Sequence, residues 1–272
     1  MHTLLAGYIF LLGMLFGSFA LVLADRTHAK KQWVRGRSVC EYCKHTLSAR
    51  DLVPVLSWLL SSGKCRYCKK RLSAFYPLTE LGLGIAFLVS YLSWDVAQGL
   101  INNAALIIWL SSLIVATALF VYDAKWYLLP SSFLYTYIGF AGVYRVVLWF
   151  GADEVSLGSH ILSVCASLIV STGVFWVLYR LSRGKWIGDG DITLGVAIGL
   201  FTGNALVSWL AIVIASLCGL LFAIPSIMAT GGKKKALTLR VPFGPFLLIG
   251  LFIAVLYGPT LIDWYQRTFL YM

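Results

Sequence analysis

The sequence predicts an all-α polytopic membrane protein of about eight transmembrane helices, and three observations carry that expectation. Hydrophobic residues make up 60% of the 272 positions and charged ones only 12%, at a mean hydropathy of +0.84, more apolar than one soluble core requires. The apolar residues fall in runs near the roughly 20 residues a helix needs to cross a bilayer. The charges are segregated between alternate loops, as the positive-inside rule expects of a multi-pass chain.

Taken in order, the runs lie at 3–24, 74–94, 100–122, 131–149, 159–180, 192–204, 205–228 and 243–259. The first has no basic residue before it and Arg26, Lys30 and Lys31 after it, so it reads as an uncleaved anchor with its N-terminus outside rather than a signal peptide. The sixth is the shortest. At 1.5 Å per residue it covers about 20 Å of a roughly 30 Å core, which would sink its beginning towards the membrane. Loops 25–73, 123–130, 181–191 and 229–242 then share one side, and they hold every Lys and Arg of the 22 except Arg145, Arg180 and Arg267. The opposite loops carry Asp95, Asp153 and Glu154. The basic side is therefore expected to be cytoplasmic. Topology and anionic headgroups account for the net charge of +11 without a nucleic-acid partner. Trp94, Trp126, Trp149, Trp186 and Trp264 fall near helix ends, where interfacial anchoring explains them.

The first loop contains CEYC and CRYC, pairing Cys40 with Cys43 and Cys65 with Cys68. Two C-x-x-C turns at this separation suit a four-thiolate zinc site, and four protein ligands leave no open position, so the metal would be structural. A reducing cytoplasm argues against disulfides. The expected organisation is a first transmembrane helix over 1–24, a cytoplasmic four-cysteine zinc-binding domain over 25–73, and the remaining helices over 74–272. His28 and His45 are expected at the surface, and Cys165 and Cys218 as packing residues in apolar helices.

Three acidic residues stand in or beside the membrane on the cytoplasmic half with no topological reason to be there: Glu80, Asp123 and Asp191. Such groups are functional candidates because a carboxylate in hydrocarbon is costly. If the third and sixth helices pack together, Asp123 and Asp191 meet, and repulsion keeps one protonated while the other ionises. That pair would activate water against a peptide carbonyl. Gly188 and Gly190 would let the backbone before Asp191 turn sharply and a substrate chain approach. The plainer alternatives remain at this point. Asp189 or Asp191 would cap a helix, and Asp123, two residues before Lys125, would be a solvated loop charge. Glu80 reads either as a group contacting substrate or as a buried glutamate paired with a neighbour. Arg145 is expected to snorkel outward or meet Asp153 and Glu154.

At this level of detail the chain resembles a known family, the bacterial type IV prepilin peptidases, G-x-G-D aspartic proteases of the membrane. The residues that carry the resemblance are GSFALVLADR (17–26), the two C-x-x-C pairs, DLVPVLSWLL (51–60), FYPLTELGLG (75–84), Asp123 seven positions before Pro130, GDGD (188–191) and PFGPF (242–246). They occur in the family's order and cover nearly the whole chain. Ser131 follows Pro130 where the family often has an acid, and ALVLADR replaces a segment that commonly carries Asn and Tyr. The resemblance implies that Asp123 and Asp191 are catalytic. It implies prepilin or pseudopilin substrates, cut after a glycine at the cytoplasmic face of the bacterial inner membrane. It also implies that some members N-methylate the new terminus using S-adenosylmethionine. The competing reading from another class is a proton- or cation-coupled transporter using the same aspartates.

Overall fold

The computed structural model describes residues 2–33, 36–94, 99–151, 156–229 and 241–269. The elements in order are α1 (His2–His28), a 3₁₀ turn (Ala49–Leu52), α2 (Leu56–Leu60), α3 (Phe75–Ser93), α4 (Leu100–Trp126), α5 (Ser131–Phe150), α6 (Leu157–Ser182), α7 (Asp189–Thr202), α8 (Ala205–Ala229) and α9 (Gly244–Phe269). Seven of these helices, all except α2 and α7, are long and apolar enough to cross a membrane, so the protein is an all-α, multi-pass membrane protein. The eight predicted crossings therefore become seven, and the one that falls short is α7, the sixth run. Its 14 residues rise about 21 Å, as the short sixth run led one to expect.

Several boundaries differ from the sequence expectation. The first helix continues past residue 24 to His28, because Arg26 turns its guanidinium onto the carbonyls of Trp33 and Gly36 at 2.9 and 2.8 Å and so satisfies the chain that leaves the helix. The last helix continues through Pro259 to Phe269, ten residues beyond the predicted end. An interior proline removes one backbone bond and bends a helix without having to end it. Asp95, Asp153, Glu154 and the basic residues Lys233, Lys234, Lys235 and Arg240 lie outside the described residues.

The chain forms two compact units, Met1–Val96 with Leu113–Tyr122, and Ala97–Ser112 with Asp123–Met272. In the first, α1 packs along α3 through glycines. A Cβ at Gly13 would stand 2.8 Å from Leu83 O, one at Gly17 2.7 Å from the Glu80 Cα, and one at Gly84 2.7 Å from Met14 Cγ. Small residues four apart let two helix backbones meet, which is how helices associate where lipid gives no hydrophobic drive.

In the second unit α7 lies among α5, α6, α8 and α9. Gly195 and Gly199 face α6 so closely that an added Cβ would lie 3.0 Å from Ser171 O and 2.9 Å from the Leu168 Cα. Along α6, Ser163 donates to Gly203 O at 2.7 Å and Ser167 to Gly199 O at 2.8 Å. Ser167, Thr202 and Ser208 share hydroxyl bonds of 2.6–3.0 Å. Arg145, expected to reach outward, instead donates to Leu200 O at 2.9 Å and Phe201 O at 2.6 Å. The last turn of a helix presents orphan carbonyls and the negative end of its dipole, so a cation there is favoured. Trp109, Tyr137, Tyr144 and Phe252 cluster around that end with Phe201. A helix too short to span is thus fixed by side chains from its neighbours.

Candidate active site and metal centre

The loop between α1 and α3 folds as two matching knuckles. Cys40 N–H donates to His45 O and Lys44 N–H to Cys40 O; Cys65 N–H donates to Lys70 O and Lys69 N–H to Cys65 O, all at 2.9–3.0 Å. Lys44 and Lys69 close the two turns with positive φ, 56° and 58°. Each knuckle covers the other: His45 stacks on Tyr67 at 3.7 Å between ring centroids, and the Lys70 ammonium sits 5.0 Å over the Tyr42 ring. Asp51 joins the preceding turn to the second knuckle, accepting from Ser48 at 2.7 Å and Tyr67 at 3.2 Å and pairing with Arg66 at 3.3 Å.

The four cysteine sulfurs all lie within 4.8 Å of one another, with Cys40 and Cys68 3.9 Å apart. Tetrahedral zinc at about 2.3 Å from each thiolate requires sulfurs about 3.8 Å apart, so the cluster fits a structural zinc ion. Burial works against a charge on Cys40, but the N–H groups of Cys43 and Tyr42 and the side chains of Cys65 and Cys43 outweigh it and bring this thiol down to about 7. At Cys43 the His45 N–H pulls downward, but burial and the sulfurs of Cys40 and Cys68 prevail and push it up to about 11. One thiolate is therefore at hand near neutral pH, and a cation would draw the protons from the rest. His28 and His45 stay at the surface as expected, outside the cluster. Cys165 is exposed on α6 rather than packed, and Cys218 is half-buried.

In the other unit, α4 ends just after Asp123. Tyr127, left-handed at φ 56°, returns its N–H to Asp123 O at 2.8 Å, and Pro130 caps α5. The spacing from Asp123 to Pro130 is therefore one helix end, one reversal and one helix start. Asp123 is buried at 6% exposure, not a solvated loop charge, and its Oδ2 accepts the Gly244 N–H at 2.9 Å. A Cβ at Gly244 would stand 2.7 Å from that oxygen and 3.4 Å from Leu129 Cδ2. Only glycine lets the start of α9 come this near.

Leu129 also faces α7, where a Cβ at Gly190 would lie 3.0 Å from Leu129 Cβ. Asp191, in the first turn of α7, accepts the Gly188 N–H at 3.3 Å and lies within electrostatic reach of the Asp123 charge. Gly190 on α7 and Gly244 on α9 thus stand against one leucine, with Asp123 bonded to Gly244 and Asp191 next to Gly190 in the chain. Asp189, the first residue of α7, is exposed and accepts its neighbour's N–H at 3.0 Å, while the bond from Gly188 to Asp191 is the capping contact of the helix. The two glycines do not make the sharp turn expected of them: Gly188 is extended at φ −79° and ψ 161°, and Gly190 is helical. Gly190 is needed for closeness to Leu129, and Gly188 has only Asp191 Oδ2 and Gly190 N near its missing Cβ, at 3.9 Å.

Glu80 belongs to the first unit. Its Oε2 accepts the Val55 N–H at 2.7 Å, and Ser18 bonds to the same carboxyl. The segments 17–26, 51–60 and 75–84 therefore meet at one buried glutamate. The contact of Gly244 with Asp123 was not legible in advance, although PFGPF marked the segment. The serines at 163, 167 and 171 had a visible signal in their spacing of four, which places them on one helix face.

Residues 11–94 match the family model described as the Bacterial Peptidase A24 N-terminal domain. Over 79% of its length the chain is 31% identical to the "Type 4 prepilin-like proteins leader peptide-processing enzyme" of Escherichia coli O78:H11 (strain H10407 / ETEC), covering 73% of that protein. It is 30% identical over 86% of its length to the "Prepilin leader peptidase/N-methyltransferase" of Aeromonas hydrophila, covering 76% of it. A protein of the same name from Bacillus subtilis (strain 168) is 28% identical, over 95% of this chain and 97% of the relative. No solved structure matches the chain. The chain is a peptidase of the membrane, and it belongs to the prepilin leader peptidase family.

Proposed function

We propose that this chain is an aspartic endopeptidase of the bacterial inner membrane that removes the basic leader of prepilins or pseudopilins, after glycine, at the cytoplasmic face. The observation that carries the reading is the burial of Asp123 against the Gly244 N–H, within electrostatic reach of Asp191. Drawn together around a substrate, the two carboxylates would share one proton. The ionised member takes a proton from water as the oxygen attacks the scissile carbonyl carbon, and the protonated member gives its proton to the carbonyl oxygen. The resulting gem-diol collapses as the C–N bond breaks, and the leaving nitrogen takes up a proton from the dyad. The products are a leader ending in a glycine carboxylate and a pilin with a free amine. The protons belong to the pair, so neither aspartate is named as the base. The N–H groups of Gly244 and Gly188 hold the two carboxyls in orientation.

In this scheme 1–24 is the first membrane helix, 25–73 the cytoplasmic zinc domain and 74–272 the peptidase, with the N-terminus outside. N-methylation is carried by the names of the relatives; S-adenosylmethionine as donor and the new amine as acceptor are what the family resemblance implies, and no residue is assigned to the step. Mass spectrometry of a co-expressed prepilin's N-terminus reads cleavage and methylation together. Asp123→Asn and Asp191→Asn should each leave the leader attached, a fall in rate of at least about a thousandfold for a chemistry that needs both groups. Leader removal at the wild-type rate by either variant overturns the mechanism.

A further inference from the structure

Helix α2 is only five residues long, too short to persist alone, yet it presents an apolar edge that no described residue covers. Leu56, Leu59 and Leu60 are 50%, 59% and 79% exposed, and Leu52 and Val53 precede them at 42% and 43%. Its other side is fastened. The Trp58 indole N–H reaches Leu72 O at 3.4 Å, and its ring lies where a Cβ on Gly63 would come within 2.8 Å. The fastening at the helix start is under strain: Val55, β-branched, takes φ 60° and ψ −49°, a sparsely populated conformation that persists only where its surroundings hold it. The holder is Glu80, whose carboxylate receives the Val55 N–H.

Glu80 stands five residues into α3, about 7.5 Å along its axis, and α3 is a spanning helix. Val55 is thereby pinned beside the first turns of a helix long and apolar enough to cross a membrane, which carries Leu78 at 64% exposure. From residue 52 to residue 79 there is no Asp or Glu; of the basic residues that follow the leucines, Arg66 pairs with Asp51 and Lys70 lies over Tyr42, while Lys64, Lys69 and Arg71 are exposed.

We propose that α2 is an interfacial anchor: Leu56, Leu59 and Leu60 enter the leaflet beside the start of α3, the basic residues after them meet anionic lipid headgroups, and Glu80 is the tether that sets the depth. Leucines flanked by basic residues with no intervening acid are the composition of a helix that lies in an anionic bilayer surface. A prepilin with a basic leader would be repelled by the same charge, so lipid is the occupant. The proposal rests on α3 crossing the membrane and not on the aspartate pair.

The test is photo-crosslinking of the full-length protein, with p-benzoyl-phenylalanine replacing Leu59 or Leu60, in vesicles containing phosphatidylglycerol. Lipid adducts found by mass spectrometry are expected at both positions and not at the exposed knuckle residue Lys44, whether or not prepilin is present. Glu80→Gln keeps an acceptor for Val55 and should keep the yield, whereas Glu80→Ala should lower it severalfold. The proposal is overturned by absence of lipid adducts at 59 and 60, by crosslinks to prepilin that replace them, or by equal yields in purely zwitterionic vesicles. Cleavage by the same preparations is scored separately, so a failed anchor and a failed dyad are told apart.

Discussion

The loop between α1 and α3 and the short helix α7 solve the same problem by opposite means. Each is a segment with too little apolar surface of its own to hold a fixed position. Among the described residues of the loop, the buried apolar side chains are Cys40 and Cys65, so its order depends on four sulfurs converging. Helix α7 buries Leu194, Ala197, Ile198 and Phe201 and is fastened by neighbours that bond to its carbonyls. The difference teaches where rigidity comes from: outside the membrane a cation can replace a missing core, while inside it backbone carbonyls must be met by side chains, because no water will meet them.

The largest effect should come from taking the metal away. Structural zinc contributes on the order of 10 kcal/mol to small zinc-binding domains, so Cys65→Ser, or prolonged chelation, should unfold the loop outright. The protein should carry one zinc per chain by metal analysis, and its loss should open the segment between α1 and α3 to protease while α5 to α9 remain resistant. A loop equally resistant with and without zinc would erase the contrast between the two regions.

Next comes the close contact of α7 with α6. Gly199→Leu would drive a side chain into Leu168 and Ser171, and overpacking of this kind costs about 1–3 kcal/mol. Because α7 carries Asp191 on its first turn, the expected outcome is a lower thermal midpoint in detergent together with a larger loss of prepilin cleavage. A stable protein with full cleavage would mean that the position of α7 does not govern the pair. Ser167→Ala is milder. It removes the bond to Gly199 O, but Thr202 and Ser208 stay paired at 2.6 Å, and hydrogen bonds between membrane helices average about 0.6 kcal/mol. A shift of a few degrees or less, with cleavage retained, is the expectation.

These rankings also mark what a sequence exposes. Asp123 and Asp191 stood out because an ionisable group in an apolar chain has few innocent explanations, and the brevity of α7 was visible in the length of its run. The four cysteines announced themselves by spacing. The inward turn of Arg145 was hidden, since an arginine near the end of a membrane helix has an easy route to water, and only the neighbouring α7 offers carbonyls instead. Gly244 was hidden for a related reason: a glycine at a helix start looks like a turn residue, whereas here it is a donor to Asp123 that no larger residue could bring as near. The positive φ of Val55 leaves no trace in sequence at all, because what holds it is a glutamate 25 positions away.

The smallest effect belongs to Asp51, and it separates the metal's share of the loop from the share of ordinary polar bonds. The Ser48 hydroxyl first, then the Ser48 N–H, the Arg66 charge and the Tyr67 hydroxyl, hold this carboxyl below its usual range despite some burial. A carboxyl whose folded value is depressed contributes stability that is complete above its unfolded value, near 3.9, and that is lost as the pH falls through the folded one. Asp51→Asn should therefore weaken the loop slightly at neutral pH, and the difference from wild type should stay constant from pH 7 down to about 5, where the carboxyl is ionised in the folded and unfolded states alike. The Arg66 pair is half exposed and contributes less than about 1 kcal/mol, so zinc content at pH 7 should be unchanged. Protease resistance of the loop, followed from pH 7 downward in both proteins, reads the effect. Below about pH 5 the metal ligands begin to take up protons as well, so the comparison is informative only while both proteins still hold zinc. A gap that widens within that window would mean that Asp51 stabilises the loop through its protonated form, contrary to the bonds it makes here.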